Sequence, residues 1–85
     1  MKNPRICAVV VSNDPKIIKE VSSLADLFEI RIDLIGEGWQ QLTKQLDKPW
    51  IACNRVATEG GQWQGSEARR IESLLLAVEL GADVI

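Results

Sequence analysis

The sequence predicts an α/β fold of parallel strands, about three strand-helix units plus a fourth strand, laid out as the N-terminal part of a TIM (β/α)8 barrel. Two patterns carry this prediction. Short β-branched apolar runs alternate with segments of helical period along the 85 residues, an order that leads to a parallel sheet with right-handed crossovers. The second run also carries charge on one face only, and an arginine closes the third.

Residues 5–11, "RICAVVV", form a nearly continuous apolar run, as in a strand covered on both faces. Asp14 then Pro15 reads as an N-cap with proline at the first helical position, and Ile17, Ile18, Val21, Leu24 and Ala25 recur at helical spacing. Residues 27–33, "LFEIRID", alternate strictly: Phe28, Ile30 and Ile32 share one face of a second strand, and Glu29, Arg31 and Asp33 the other. Gly36 and Gly38 open a weaker helix with Trp39, Leu42 and Leu46 in register, and a third strand follows over 50–55. Ser66 is the expected N-cap of the last helix, with Ile71, Leu74, Leu75 and Val78 as its apolar stripe and Gly81 as its stop. The final "ADVI" begins a fourth strand.

Two closures compete for such a sheet, an open doubly wound arrangement and a barrel. In the open arrangement helices cover both faces, so three charged residues on one face of the second strand are costly. In a barrel, polar side chains gather inside near the carboxyl ends of the strands. Arg55, at the end of the third strand and the same edge as Asp33, favours the barrel. A complete barrel typically needs roughly 250 residues, so the chain is expected to be an open fragment, with residues 1–85 as one partial domain.

Composition narrows the partners. A formal charge of −2 with lysine and arginine scattered along the chain offers no basic stripe for nucleic acid. No apolar segment approaches the roughly 18 residues that span a bilayer, and no signal-peptide pattern opens the chain. Cys7 and Cys53 lie in apolar runs without metal or redox spacing, which suggests reduced core thiols in a cytoplasmic protein and no metal site.

The candidate site residues are the charged ones. Glu29, Arg31 and Asp33 project together at spacing two; the face is solvated, salt-bridged to a neighbouring strand, or a floor for a polyhydroxylated or anionic ligand. Arg55 precedes, and Glu59 four residues on lies within, the loop segment "VATEGGQWQG", whose glycines match neither a P-loop nor a dinucleotide fingerprint. Trp39, Trp50 and Trp63 are expected to pack against helices or loops. Trp63 alone lies beside Glu59, in a loop expected to be mobile and able to act as a lid.

Taken in order, "EIRID", "CNRVATEGG" and "QGSEARRIESLLLAVELGADVI" resemble the type I 3-dehydroquinate dehydratases, whose hallmarks are a Glu-x-Arg-x-Asp strand and an arginine followed four residues later by Glu-Gly-Gly. The resemblance covers nearly the whole chain and corresponds to the first third to half of a family member. It implies an eight-stranded barrel and the loss of water from 3-dehydroquinate to give 3-dehydroshikimate, in the shikimate pathway of aromatic amino acid biosynthesis, with no metal or separate cofactor. A lysine forms a Schiff base with the ketone, and a histidine moves the proton and assists the leaving hydroxyl. It further implies that Glu29 and Arg31 contact substrate hydroxyls, that Arg55 binds substrate, and that Glu59 positions and assists the catalytic histidine.

The sequence departs from this pattern at the reacting groups. It contains no histidine, and none of its lysines, Lys2, Lys16, Lys19, Lys44 and Lys48, falls at the carboxyl end of a strand. The expectation is a chain that holds substrate weakly without dehydrating it. The other reading is a non-catalytic half-barrel that associates with itself, as a homo-oligomer, or with a complementary fragment through exposed strand edges.

Overall fold

The computed structural model describes residues 5–85, so Lys2 lies outside the described residues. Three strands, β1 (Cys7–Val10), β2 (Leu27–Arg31) and β3 (Trp50–Cys53), form one parallel sheet in the order β1-β2-β3. The helices are α1 (Pro15–Val21), α2 (Ile32–Ile35), α3 (Trp39–Thr43) and α4 (Glu67–Glu79). After α4, Val84 forms an isolated parallel bridge with Ile51 and accepts the Ala52 N–H at 2.8 Å, so the segment expected to begin a fourth strand touches β3 without forming a strand of the sheet. Among the described residues the sheet is open.

Strand alternation divides this sheet into two unlike faces. Val10, Phe28, Ile30, Trp50 and Ala52 are buried in one cluster with Ile18 of α1, Trp39 and Leu42 of α3 and Ala77 of α4. Every helix that reaches the core therefore packs on that side. The opposite face carries Cys7 and Val9, both exposed, and the half-buried Glu29, Arg31, Ile51 and Cys53. The expectation of a first strand covered on both faces gives way to one covered on a single face, and the expected core thiols lie on the uncovered side as free cysteines. Desolvation first, and then the charge of Glu29, push the Cys7 thiol up, so it is held as the neutral, unreactive form.

The helix starts follow the sequence signals. The Asp14 side chain accepts the Lys16 N–H at 3.0 Å, Pro15 occupies the first turn, and the Ser66 hydroxyl accepts the Arg69 N–H at 3.2 Å. Lys48 crosses to the other end of α1 and donates to the carbonyls of Ser22 and Ala25, both at 2.9 Å, satisfying acceptors that a helix end leaves open. A carboxylate also ties the starts of β1 and β3 to their neighbours: Asp26 accepts the Ile6 N–H at 2.7 Å and Asp83 accepts the Trp50 N–H at 2.9 Å.

Two expectations need correction. The second strand stops at Arg31, and Ile32 and Asp33 begin α2, because the Gly36 N–H closes a helical turn on the Ile32 carbonyl instead of extending the ladder. On α4, the side toward the sheet is the line through Asn54's partner Ser73, Leu74 and Ala77. Of the expected stripe, Leu74 is packed against the core, whereas Ile71, Leu75 and Val78 lie about 100° round the helix and are exposed at 46%, 57% and 49%.

Candidate active site

The charged residues gather at the carboxyl end of the parallel sheet. Register places Glu29 in a row with Val9 and Ile51, and Arg31 beside Cys53, all on the face no helix covers. Two residues on, Asp33 turns back from the first turn of α2 onto Arg31. The contact is bidentate: Nε donates to Oδ1 at 3.2 Å and Nη2 to Oδ2 at 2.8 Å. The Asp33 side chain has 0% of its surface exposed and that of Arg31 13%, so this pair is largely removed from water.

Burial pushes the Asp33 carboxyl up, but the Arg31 hydrogen bond, the backbone N–H groups of Gln62 and Arg55, and the Arg31 charge together hold it below the usual carboxylate range. The ionised form is the one the site is built around. Arg31 is stabilised in turn as a cation, first by the Asp33 hydrogen bond, with the charge of Glu29 adding to it.

The loop after β3 is pinned rather than loose. Ala57–Glu59 form one 3-10 turn, capped by Gly60 with a left-handed φ of 83°. Gly61 then donates its N–H to the Val56 carbonyl at 2.9 Å, and Trp63 to the Arg55 carbonyl at 3.0 Å. The loop expected to be mobile is thus held at both ends. The Trp63 indole donates to the Ser66 carbonyl at 3.1 Å and lines, with Trp39, Arg69 and Ser73, an open groove of about 830 Å³ between α3 and α4. That groove contains none of the five candidate residues.

Arg55 and Glu59 stand exposed at the rim. Among the described residues neither side chain has a hydrogen-bond partner. The structure therefore brings Arg31 and Asp33 into contact, joins Asp33 to the backbone of the loop carrying Arg55 and Glu59, and leaves Glu29 acting on Arg31 through its charge. Behind the rim, Asn54 is 3% exposed and faces the other way. Its side-chain amide donates to the Ser73 hydroxyl at 2.8 Å, while its backbone carbonyl accepts from Arg70 Nη1 at 3.0 Å, which fastens the end of β3 to α4. Sequence reading missed Asn54, Ser73 and Arg70; the signal for Asn54 was strand parity, which puts it on the helix side with Trp50 and Ala52.

Such a site can offer fixed cationic donors and free carboxylate acceptors to a ligand rich in hydroxyl and carboxylate groups. Among the described residues no group of three His, Cys, Asp or Glu side chains is placed to hold a metal ion, and no helix is long and apolar enough to cross a membrane.

Comparison with known proteins gives the same direction. Residues 6–85 match the family model described as "Type I 3-dehydroquinase". The chain is 40% identical over 82 residues to a 3-dehydroquinate dehydratase of Dehalococcoides mccartyi, covering 96% of this chain and 37% of that protein. It is 35% identical over 95 residues to a Methanosarcina barkeri 3-dehydroquinate dehydratase, covering 99% of this chain and 39% of the relative. It is also 38% identical over 96 residues to the chloroplastic bifunctional 3-dehydroquinate dehydratase/shikimate dehydrogenase of Arabidopsis thaliana, covering all of this chain and 16% of that protein. The chain thus spans well under half the length of these relatives, yet with its Glu-x-Arg-x-Asp segment and its Arg-x-x-x-Glu-Gly-Gly turn at one sheet edge it belongs to the type I 3-dehydroquinase family.

Proposed function

We propose that this chain is the amino-terminal portion of a type I 3-dehydroquinate dehydratase barrel and supplies one wall of the substrate site. The reading is supported above all by the Arg31–Asp33 pair meeting the Arg55–Gln62 loop at the carboxyl edge of a parallel sheet, the edge where barrel enzymes hold substrate. Glu29 and Arg31 would then take the hydroxyls of 3-dehydroquinate, and Arg55 would approach it from the rim. Glu59, whose carboxylate has no protein partner among the described residues, would orient a histidine. The proposed setting is the cytoplasm, since unpaired thiols such as Cys7 and Cys53 suit a reducing compartment.

Schiff-base dehydration needs an amine beside the ketone and a base near neutrality. The chain has no histidine, and Lys48 is engaged at the end of α1, at the opposite edge of the sheet from Arg31. The 85-residue chain alone is therefore expected to bind without turnover. Incubating it with 3-dehydroquinate and following the ultraviolet absorbance of the conjugated enone tests this; clear turnover by the pure chain would refute it.

A second reading, association of half-barrels, is favoured by the apolar surface. Val9 and Val84 on the open sheet face and Leu75 on α4 are exposed at 50%, 55% and 57%. These residues lie along strand edges and a helix side that would be covered in an assembly. Size exclusion with light scattering decides it: a dimer or larger species is expected, and a well-behaved monomer at high concentration would remove the reading.

A further inference from the structure

Asp33 touches more than its arginine. While Oδ1 and Oδ2 hold the Arg31 guanidinium, Oδ2 also accepts the Gln62 backbone N–H at 3.0 Å, from the loop that follows β3. One fully screened carboxylate oxygen thus joins the end of β2 to a segment 29 residues away in the chain. Gln62 follows Gly61, whose own backbone lies against Arg55. The connection runs from Arg31 through Asp33, Gln62 and Gly61 to Arg55 without a gap.

We propose that Asp33 is a positioning residue, which fixes the Arg31 guanidinium and sets the height of the Arg55–Glu59 loop, so that these groups meet a polyhydroxylated carboxylate ligand as a preformed set. This rests on the reading of Arg31, Arg55 and Glu59 as ligand-facing. Asp33 occupies Nε and one Nη2 proton of Arg31, which leaves both Nη1 protons and the second Nη2 proton without a hydrogen-bond partner among the described residues. Ordering those donors in advance removes side-chain and loop entropy that the ligand would otherwise have to overcome. A neutral amide cannot replace the carboxylate: with its oxygen in the Oδ2 place it sets a donor against Arg31 Nε–H, in the reverse orientation it loses both Nη2 and the Gln62 N–H, and in either case the Gln62 N–H no longer faces a charged acceptor.

The test uses the isotope-labelled chain in solution, read at the Arg31 Nε–H and the Gln62 amide. In Asp33→Asn both signals are expected to move together. The apparent Kd for 3-dehydroquinate, read on the Arg55 and Glu59 amides, is expected to rise about tenfold, as for loss of one charge-assisted anchor. The amides of Val10 and Ala52 report that the sheet is intact. If the variant does not fold, acid titration of the unaltered chain carries the test: the two signals should share one midpoint, and Glu29 and Cys53 beside Arg31 and Glu59 on the loop are the other titratable groups that face them. Separate midpoints, or an Asp33→Asn chain with both signals and affinity unchanged, would overturn the proposal. A chain that shows the shared midpoint but ignores 3-dehydroquinate keeps the clamp and loses the substrate reading; one that binds while the two signals titrate apart does the reverse.

Discussion

Gly61 lies directly against the backbone of Arg55: a Cβ on Gly61 would fall 2.0 Å from the Arg55 carbonyl oxygen and 2.3 Å from its carbon. The two glycines after Glu59 therefore have different causes. Gly60 supplies a left-handed φ with open space around it, whereas Gly61 supplies close approach at an ordinary φ. Gly60→Ala should cost about 1–2 kcal/mol, the strain of a left-handed alanine, and Gly60→Asn less. Gly61→Ala should cost about 3 kcal/mol, because backbone must move where no side chain can yield. Urea unfolding of the three variants checks the order, and a mild Gly61→Ala would show that the loop is not held against Arg55.

Acid should weaken the fold through Asp33. Its folded-state carboxyl is held below the usual range, so its contribution is complete above the unfolded value of about 4 and disappears as pH falls through the lower folded value. Thermal unfolding is expected to become easier as the solution is acidified below about pH 4, and in Asp33→Asn that dependence should flatten. Glu67 shifts in the same direction through its Arg70 hydrogen bond, but it is fully exposed and adds little. An unchanged acid profile in Asp33→Asn would contradict the assignment.

Lys48 should behave as a structural cap and not as an amine for imine chemistry. Lys48→Met is expected to destabilise the chain by about 1–2 kcal/mol, the scale of charged hydrogen bonds to helix-end carbonyls. Borohydride added with 3-dehydroquinate should leave no reduced adduct on any lysine, as read by intact mass. An adduct mapped to Lys48 would reverse its role.

Phe28 carries the core. It has 0% exposure and pairs across the sheet with Ala8 and Trp50, so Phe28→Ala should cost about 3–5 kcal/mol, a large share of the stability of a domain this small. Loss of the cooperative transition in far-ultraviolet circular dichroism is expected. A near-native transition would mean that the sheet is held together elsewhere.

Exposed Leu75 offers the check on association. Leu75→Lys should shift the light-scattering mass toward the monomer without lowering the unfolding midpoint, since the residue is not part of the buried core. A loss of stability with no change in mass would place Leu75 inside the fold instead.

Much of this architecture was legible because local rules and tertiary packing agree. Asp14-Pro15 and Ser66 start helices as their chemistry dictates, and the period-two pattern of Phe28, Ile30 and Ile32 picks out the buried residues even though Ile32 has left the strand. The end of β2 was not legible, because alternation continues through Asp33 while the backbone turns on a hydrogen bond to Gly36. The α4 stripe misled for another reason: hydrophobic spacing marks a face without saying what covers it, and Leu74, Leu76 and Ala77 are the α4 residues that seat the helix on the core. Within the site, residue types were readable and connections were not. That Asp33 reaches Gln62 depends on the first turn of α2 meeting the loop after β3, a contact with no trace in the spacing of either segment.

The uncovered carboxyl edge of this sheet is proposed to receive 3-dehydroquinate. The most direct measurement is a nuclear magnetic resonance titration of the labelled chain with that compound. Saturable shifts at Glu29, Arg31, Arg55 and Glu59, with the compound left unconverted, are the predicted result. No saturable shift, or shifts confined to the groove lined by Trp39, Trp63 and Arg69, would contradict it.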